Sequence, residues 1–204
     1  MSTRRAADLP RAARAIETFL EAVGAPIGSD PELAETGRRV AEAFADDLLT
    51  GYAMDPAQIL ADATHCTAPG MVVLTRIAVT TTCPHHLMPA TGVAHVGYLP
   101  GSRVTGLGAI ARLVDCFARR LALQEDLSRN VADALVLHLG ARGAGVIVDL
   151  SPTCVTARGD RRHELRALST AFSGVMQTDA AARAELLATI GIALGRPALA
   201  EVGP

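Results

Sequence analysis

Met71-Val72-Val73-Leu74-Thr75-Arg76-Ile77-Ala78-Val79-Thr80-Thr81-Thr82 runs directly into Cys83-Pro84-His85-His86. The run is rich in β-branched side chains, which suit a pleated surface, and it predicts a strand that delivers a Cys-x-x-His element at its end. Gly92 to Leu99 predicts a second strand, stopped by Pro100-Gly101. The period then changes. Leu107 to about Leu123 places Ile110, Leu113, Val114 and Phe117 on one helical face, and Leu127 to about Leu139 does the same with Val131, Ala134, Leu135 and Leu139. Gly143 to Leu150 reads as a buried strand, a second strand is expected to follow Cys154, and another run lies near Leu165 to Met176. A last helix opens at Thr178-Asp179. The order is ββααββ plus a terminal helix, which is α+β with an antiparallel sheet.

Upstream the chain reads as helices. Leu9 to Val23 carries Ala12, Ile16, Phe19, Leu20 and Val23 at helical spacing. Asp30-Pro31 is a start signal for a helix expected to run to about Leu49 and stop at Gly51, and Asp55-Pro56 starts a short one through Ala63. The expected division is a helical region over residues 1–65 and a catalytic domain with a C-terminal helix over 66–204. A sheet of so few strands has open edges, so a homo-oligomer that closes the sheets into a barrel is expected.

Composition narrows the function. The chain has 204 residues, is 50% apolar and carries a formal charge of -2, which supports a folded core and argues against a basic nucleic-acid binder. Aromatic residues are 3% with no Trp, so a base-stacking platform is poorly supplied. All 19 basic residues are arginine, leaving no lysine for Schiff-base or phosphate-loop chemistry. No apolar run approaches the roughly 18–20 residues of a membrane span, and the N-terminal residues lack a signal-peptide core. A cytoplasmic protein with no membrane or nucleic-acid partner is expected, its cysteines being thiols or metal ligands.

Cys83 and His86 have the spacing to place a thiolate and an imidazole on one metal ion, and zinc accepts both. The same spacing also fits a loop with a buried cysteine and solvated histidines. Cys154, in the turn Ser151-Pro152-Thr153 after a strand, is the candidate third ligand. Cys116 sits among Val114 and Phe117 and reads as core, and Cys66 beside His65 as loop. Gln124-Glu125, read here as the end of the first long helix, offers a carboxylate able to accept two N–H donors from a guanine-like edge. Arg39, Arg112 and Arg158 have forks suited to phosphate oxygens.

Taken in order, Cys83-Pro84-His85-His86, Gly92-x-x-His95-x-x-Tyr98-Leu99-Pro100, Val104-x-Gly106-Leu107, Ala111-Arg112-Leu113-Val114 and Ala118-Arg119-Arg120-Leu121-x-x-Gln124-Glu125-x-Leu127 resemble the GTP cyclohydrolase I family. The likeness continues through Gly145-Val146-x-Val148, Cys154-Val155, Ala157-Arg158-Gly159 and Arg183-x-Glu185-Leu186, with Glu35 to Ala41 upstream. The resemblance implies the tunnelling fold and a decamer of two pentameric rings with sites between subunits. It implies zinc held by Cys83, His86 and Cys154, with His85 as a catalytic histidine. Glu125 would be the catalytic carboxylate that anchors the guanine ring, with Gln124 beside it, and Arg39, Arg112 and Arg158 would surround the triphosphate. In the family a zinc-activated water opens the guanine imidazole ring, formate leaves, and the ribose carbons close into dihydroneopterin triphosphate.

The chain departs from the family pattern at four places. Pro84 stands where the family has Glu, and Pro152 where it has a histidine that moves protons during ring opening. Gly108-Ala109 replace a Ser-Lys pair, and Met176 replaces a Phe. Two other outcomes were therefore open: a paralogue that acts on another heterocycle or stops at the formamidopyrimidine stage, and an inactive binding subunit.

Overall fold

In the computed structural model, which describes residues 7–67, 70–159 and 161–195, a helical N-terminal portion leads into a four-stranded antiparallel sheet. Residues 1–6 and 196–204, at the outer ends of the two expected regions, lie outside the described residues. The N-terminal portion holds α1 (Leu9–Ala22), α2 (Thr36–Glu42) and α3 (Pro56–Ile59). Asp8 and Asp55 cap α1 and α3, their carboxylates accepting from the N–H groups of Arg11 and Ala57 at 3.0 and 2.8 Å. The expected continuous helix from Pro31 to about Leu49 is instead broken. Asp30 caps a single 3₁₀ turn (Pro31–Leu33), α2 restarts at Thr36, and a π-helical segment (Ala43–Leu48) follows. The restart sets Gly37 against α1, where a β-carbon would lie 2.7 Å from the Ala13 carbonyl oxygen.

A short ribbon, absent from the sequence expectation, pairs β1 (Ala63–His65) with β4 (Arg103–Thr105). The main sheet has the order β2 (Val72–Thr82), β3 (Pro89–Leu99), β5 (Gly143–Pro152), β6 (Ala167–Gly174). Helices α4 (Leu107–Ala118) and α5 (Gln124–Ala134) cover one face, giving the ββααββ order of the tunnelling fold. Ala94, Val96, Tyr98, Val146, Val148 and Leu150 from the strands meet Ile110, Leu113, Val114, Leu127, Val131 and Leu135 from the helical layer. Leu60, fully buried, joins the same core from just after α3.

Helix α4 ends at Ala118, short of the expected Leu123. Arg120 turns back, its Nε donating to the carbonyls of Cys116 (2.6 Å) and Gly51 (3.0 Å), with the guanidinium 5.0 Å from the Phe117 ring centre. Leu121 forms a bridge to Thr82, and Leu123 is extended as the N-cap of α5. Gln124-Glu125 therefore open α5 rather than close α4. An acidic first turn, Glu125 and Asp126, is the electrostatically favoured placement at a helix N-terminus.

The other face of the sheet carries α7 (Ala180–Ala193), capped by Asp179 as expected. Met176, Ala182, Leu186 and Ile190 pack there with Ile147, Leu99 and Phe172. Gly97 and Gly145 lie opposite each other in the β3–β5 register, and a β-carbon on either would fall 2.3 or 2.5 Å from a methyl of Leu186. The paired glycines make the recess that Leu186 fills.

His95, 5% exposed, faces a bulge in β2, where the pairing slips between Leu74 and Ile77. Its Nδ1 accepts the N–H of Arg76, which has φ +59°. Burial pushes the imidazole pKa below its ordinary value; Asp149 opposes that and Arg76 adds to it. A lowered folded pKa contributes stability that is present above the unfolded value, about 6.5, and is lost as pH falls through the folded value. Denaturant midpoints should therefore fall below about pH 6.5. His95→Gln, which keeps an acceptor and does not titrate, should flatten that part of the profile.

Candidate metal centre and active site

Cys83 follows the last residue of β2, and the chain turns back to enter β3 at Pro89. The turn is closed twice: Cys83 N–H donates to the Met88 carbonyl and Leu87 N–H to the Cys83 carbonyl, both at 2.9 Å. Leu87 takes φ +53° to make this closure. On the other side of β3, strand β5 ends at Pro152 opposite Ala90, and the chain enters the one-turn helix α6 (Thr153–Thr156). Thr153 Oγ1 donates to the Pro89 carbonyl, and Thr156 Oγ1 to the Pro152 carbonyl. Residues 88 and 89 thus tie the Cys83 turn and the Cys154 helix to a common anchor.

The result brings together the three candidate metal ligands, Cys83, His86 and Cys154. One ligand atom each of Cys83, His86 and Cys154 lies within 4.8 Å of the others, and Cys83 Sγ is 3.8 Å from His86 Nδ1. Tetrahedral zinc at ordinary bond lengths puts sulfur and nitrogen about 3.6 Å apart and two sulfurs about 3.8 Å apart. Two thiols and an imidazole at this spacing fit zinc in both chemistry and reach. Burial, and then the neighbouring Cys83 thiol, push the Cys154 thiol pKa up, while the Arg158 guanidinium pulls it down. Arg158 is exposed two residues beyond the end of α6. His85 is exposed next to His86, the ring centres 6.2 Å apart and nearly perpendicular. Cys116 is fully buried in the core, as expected, and its thiol is pushed up by burial.

The remaining residues sit on other elements. Glu125 is exposed in the first turn of α5, while the Gln124 Nε2 donates to the carbonyls of Val148 (2.9 Å) and Ala167 (2.7 Å). Arg39 lies on α2 and Arg112 on α4. Both are exposed, and neither makes an ion pair among the described residues. Arg112 lies back over the first turn of α4, its Nη1 3.5 Å from where a β-carbon on Gly108 would stand, and Ala109 is buried at 6% exposure. The sequence reading missed the Thr153–Pro89 tie and the Gln124 bridge. Both join residues far apart in the chain, so no local spacing could have signalled them.

A Cys-His-Cys group at the ends of two strands of a ββααββ sheet defines a class of tunnelling-fold proteins suited to metal chemistry. The model for GTP cyclohydrolase I matches residues 12–191. The protein called GTP cyclohydrolase 1 of Mycobacterium ulcerans (strain Agy99) is 42% identical over 191 residues, covering 91% of this chain and 92% of that one. Its counterpart in Ralstonia nicotianae is 38% identical over 186 residues, with 91% and 88% covered. That of Thermobifida fusca is 40% identical over 194 residues, with 93% and 90% covered. The chain belongs to the GTP cyclohydrolase I family. Among solved structures, the apo form of an archaeosine synthase QueF-Like protein aligns with a TM-score of 0.42 at 18% identity, covering 53% of this chain and 97% of that one.

Proposed function

We propose that this protein is a cytoplasmic, zinc-dependent hydrolase of the GTP cyclohydrolase I type that opens the imidazole ring of GTP or a closely related purine nucleotide. The observation that carries the reading is the convergence of Cys83, His86 and Cys154 within 4.8 Å, in a chain whose family membership covers nearly its whole length. Zinc bound there would supply a water whose pKa falls toward about 7. His85, exposed beside the ligand set, moves protons to and from the opening ring. Glu125 accepts the two N–H donors of a guanine edge, with Gln124 next to it, and Arg39, Arg112 and Arg158 draw the phosphates. Cys83, His85, His86, Glu125 and Cys154 lie in the expected catalytic domain over 66–204, and Arg39 joins them from α2 in the N-terminal region. The test is mass spectrometry of the zinc-loaded protein incubated with GTP. Ring-opened product supports the reading, and unchanged GTP under all zinc loadings overturns it.

The active protein is an oligomer, most simply the decamer of two pentameric rings. Among the described residues, β2 and β6 carry no further strand on their outer edges beyond the Thr82–Leu121 bridge, and Leu168 on β6 is 67% exposed. Helix α7 lacks a polar face, leaving Leu187 (50%) and Ile192 (66%) in the open. Light scattering at micromolar concentration should give about ten times the chain mass of 21.2 kDa. A particle of single-chain mass would remove the oligomer and any site shared between subunits.

Among the described residues, no helix is long and apolar enough to cross a membrane.

A further inference from the structure

We infer that Gln124 is a positioning residue, which sets the place of Glu125 through its side-chain amide instead of contacting the ligand. This deepens the reading above, since it rests on Glu125 as the anchor of the ring.

The amide of Gln124 is already used. Its Nε2 lies 2.9 Å from the Val148 carbonyl oxygen and 2.7 Å from the Ala167 carbonyl oxygen. Both partners are acceptors, so only the NH₂ end can face them and the orientation is fixed by chemistry. Val148 belongs to β5 and Ala167 opens β6, so one side chain fastens the two strands to the first turn of α5. A third tie reaches the same residue, Ser169 Oγ donating to the Gln124 carbonyl at 3.2 Å. The N-cap of α5, Leu123, offers no side-chain hydrogen bond. The start of this helix is therefore held by Gln124 and not by a cap.

Glu125 follows directly and has no such support. Its carboxylate is exposed and makes no ion pair among the described residues, and its only side-chain partner acts on its backbone, Ser128 Oγ donating to the carbonyl at 3.0 Å. A carboxylate that must meet two N–H donors at once tolerates little displacement, so its aim depends on how firmly residue 124 is held.

Two substitutions separate positioning from direct contact. Gln124→Glu keeps an acceptor oxygen at the same reach and loses both donors, and Gln124→Met removes all polarity at similar volume. The zinc-loaded protein is titrated with GTP and with inosine triphosphate, which lacks the exocyclic amino group. The unmodified protein should prefer GTP by about 10-fold or more. Both variants should lose that preference by a similar factor, keep their zinc, and show faster amide hydrogen exchange at Ala167 to Ser169. Wild-type discrimination in Gln124→Glu with its loss in Gln124→Met would overturn the inference, because it would place the oxygen on the ligand. Unchanged exchange in both variants would also overturn it. Glu125→Gln run alongside tests the parent reading separately: undiminished preference for GTP there removes Glu125 as the anchor, and with it the positioning role of Gln124.

Discussion

Cys154→Ser is expected to cost the protein at least about 100-fold in zinc affinity, since disturbing even the partners of a ligand costs 10–100-fold. A serine hydroxyl does not ionise near neutral pH and gives zinc no thiolate. The fold around it should survive, because α6 is held by Thr153 to the Pro89 carbonyl and by Thr156 to the Pro152 carbonyl, neither of which uses the sulfur. Elemental analysis after dialysis is the measurement, with Cys66→Ser as a control that should retain its metal. Full zinc in Cys154→Ser would remove that residue from the site and leave Cys83 and His86 in need of another partner.

The second large effect concerns turnover. The resemblance to the family implies a proton-moving histidine at the position that Pro152 holds here, and a positioned acid or base is worth about 10²–10⁴-fold in rate. The unmodified protein should therefore open GTP slowly or stop at the formylated intermediate, and Pro152→His should speed ring opening toward that range. The backbone permits the change. Pro152 has φ -81° and ψ 111°, which any residue adopts, and it pairs opposite Ala90 at the end of β5. Pro84→Glu can be combined with it, since Pro84 lies in the turn between β2 and β3. Mass spectrometry resolves GTP, the formylated intermediate and dihydroneopterin triphosphate. Conversion at several turnovers per minute by the unmodified chain would sink the idea, and would assign the missing histidine's work to another group such as His163.

The strands around the site were legible because their signals are local. The β-branched run before Cys83 became β2, and the apolar run from Gly143 became β5, each extending about as far as its composition suggested. Asp179 marked the start of α7 by capping chemistry that needs only the next turn. The metal group was legible for the same reason in half: Cys83 and His86 lie in one turn, while Cys154 needed the placement of β5 next to β3. Glu125 opens α5, whereas its sequence context points to the end of α4. Periodicity alone carried α4 onward past Ala118, and the force that ends it is tertiary, the return of Arg120 to Gly51. The β1–β4 ribbon was invisible because it pairs two very short segments across forty residues or so, too few for any alternation to register.

The recess at Gly97 and Gly145 ties three distant positions into one unit. Leu186 can occupy its place only while both strand positions lack a side chain. In related sequences these positions should change as a set: an alanine or larger residue at either glycine should come with a smaller residue at 186, or with a C-terminal helix that docks elsewhere. A chimera that transplants α7 onto another tunnelling-fold sheet would have to carry the two glycines with it, or the helix would arrive with nowhere to seat its central leucine.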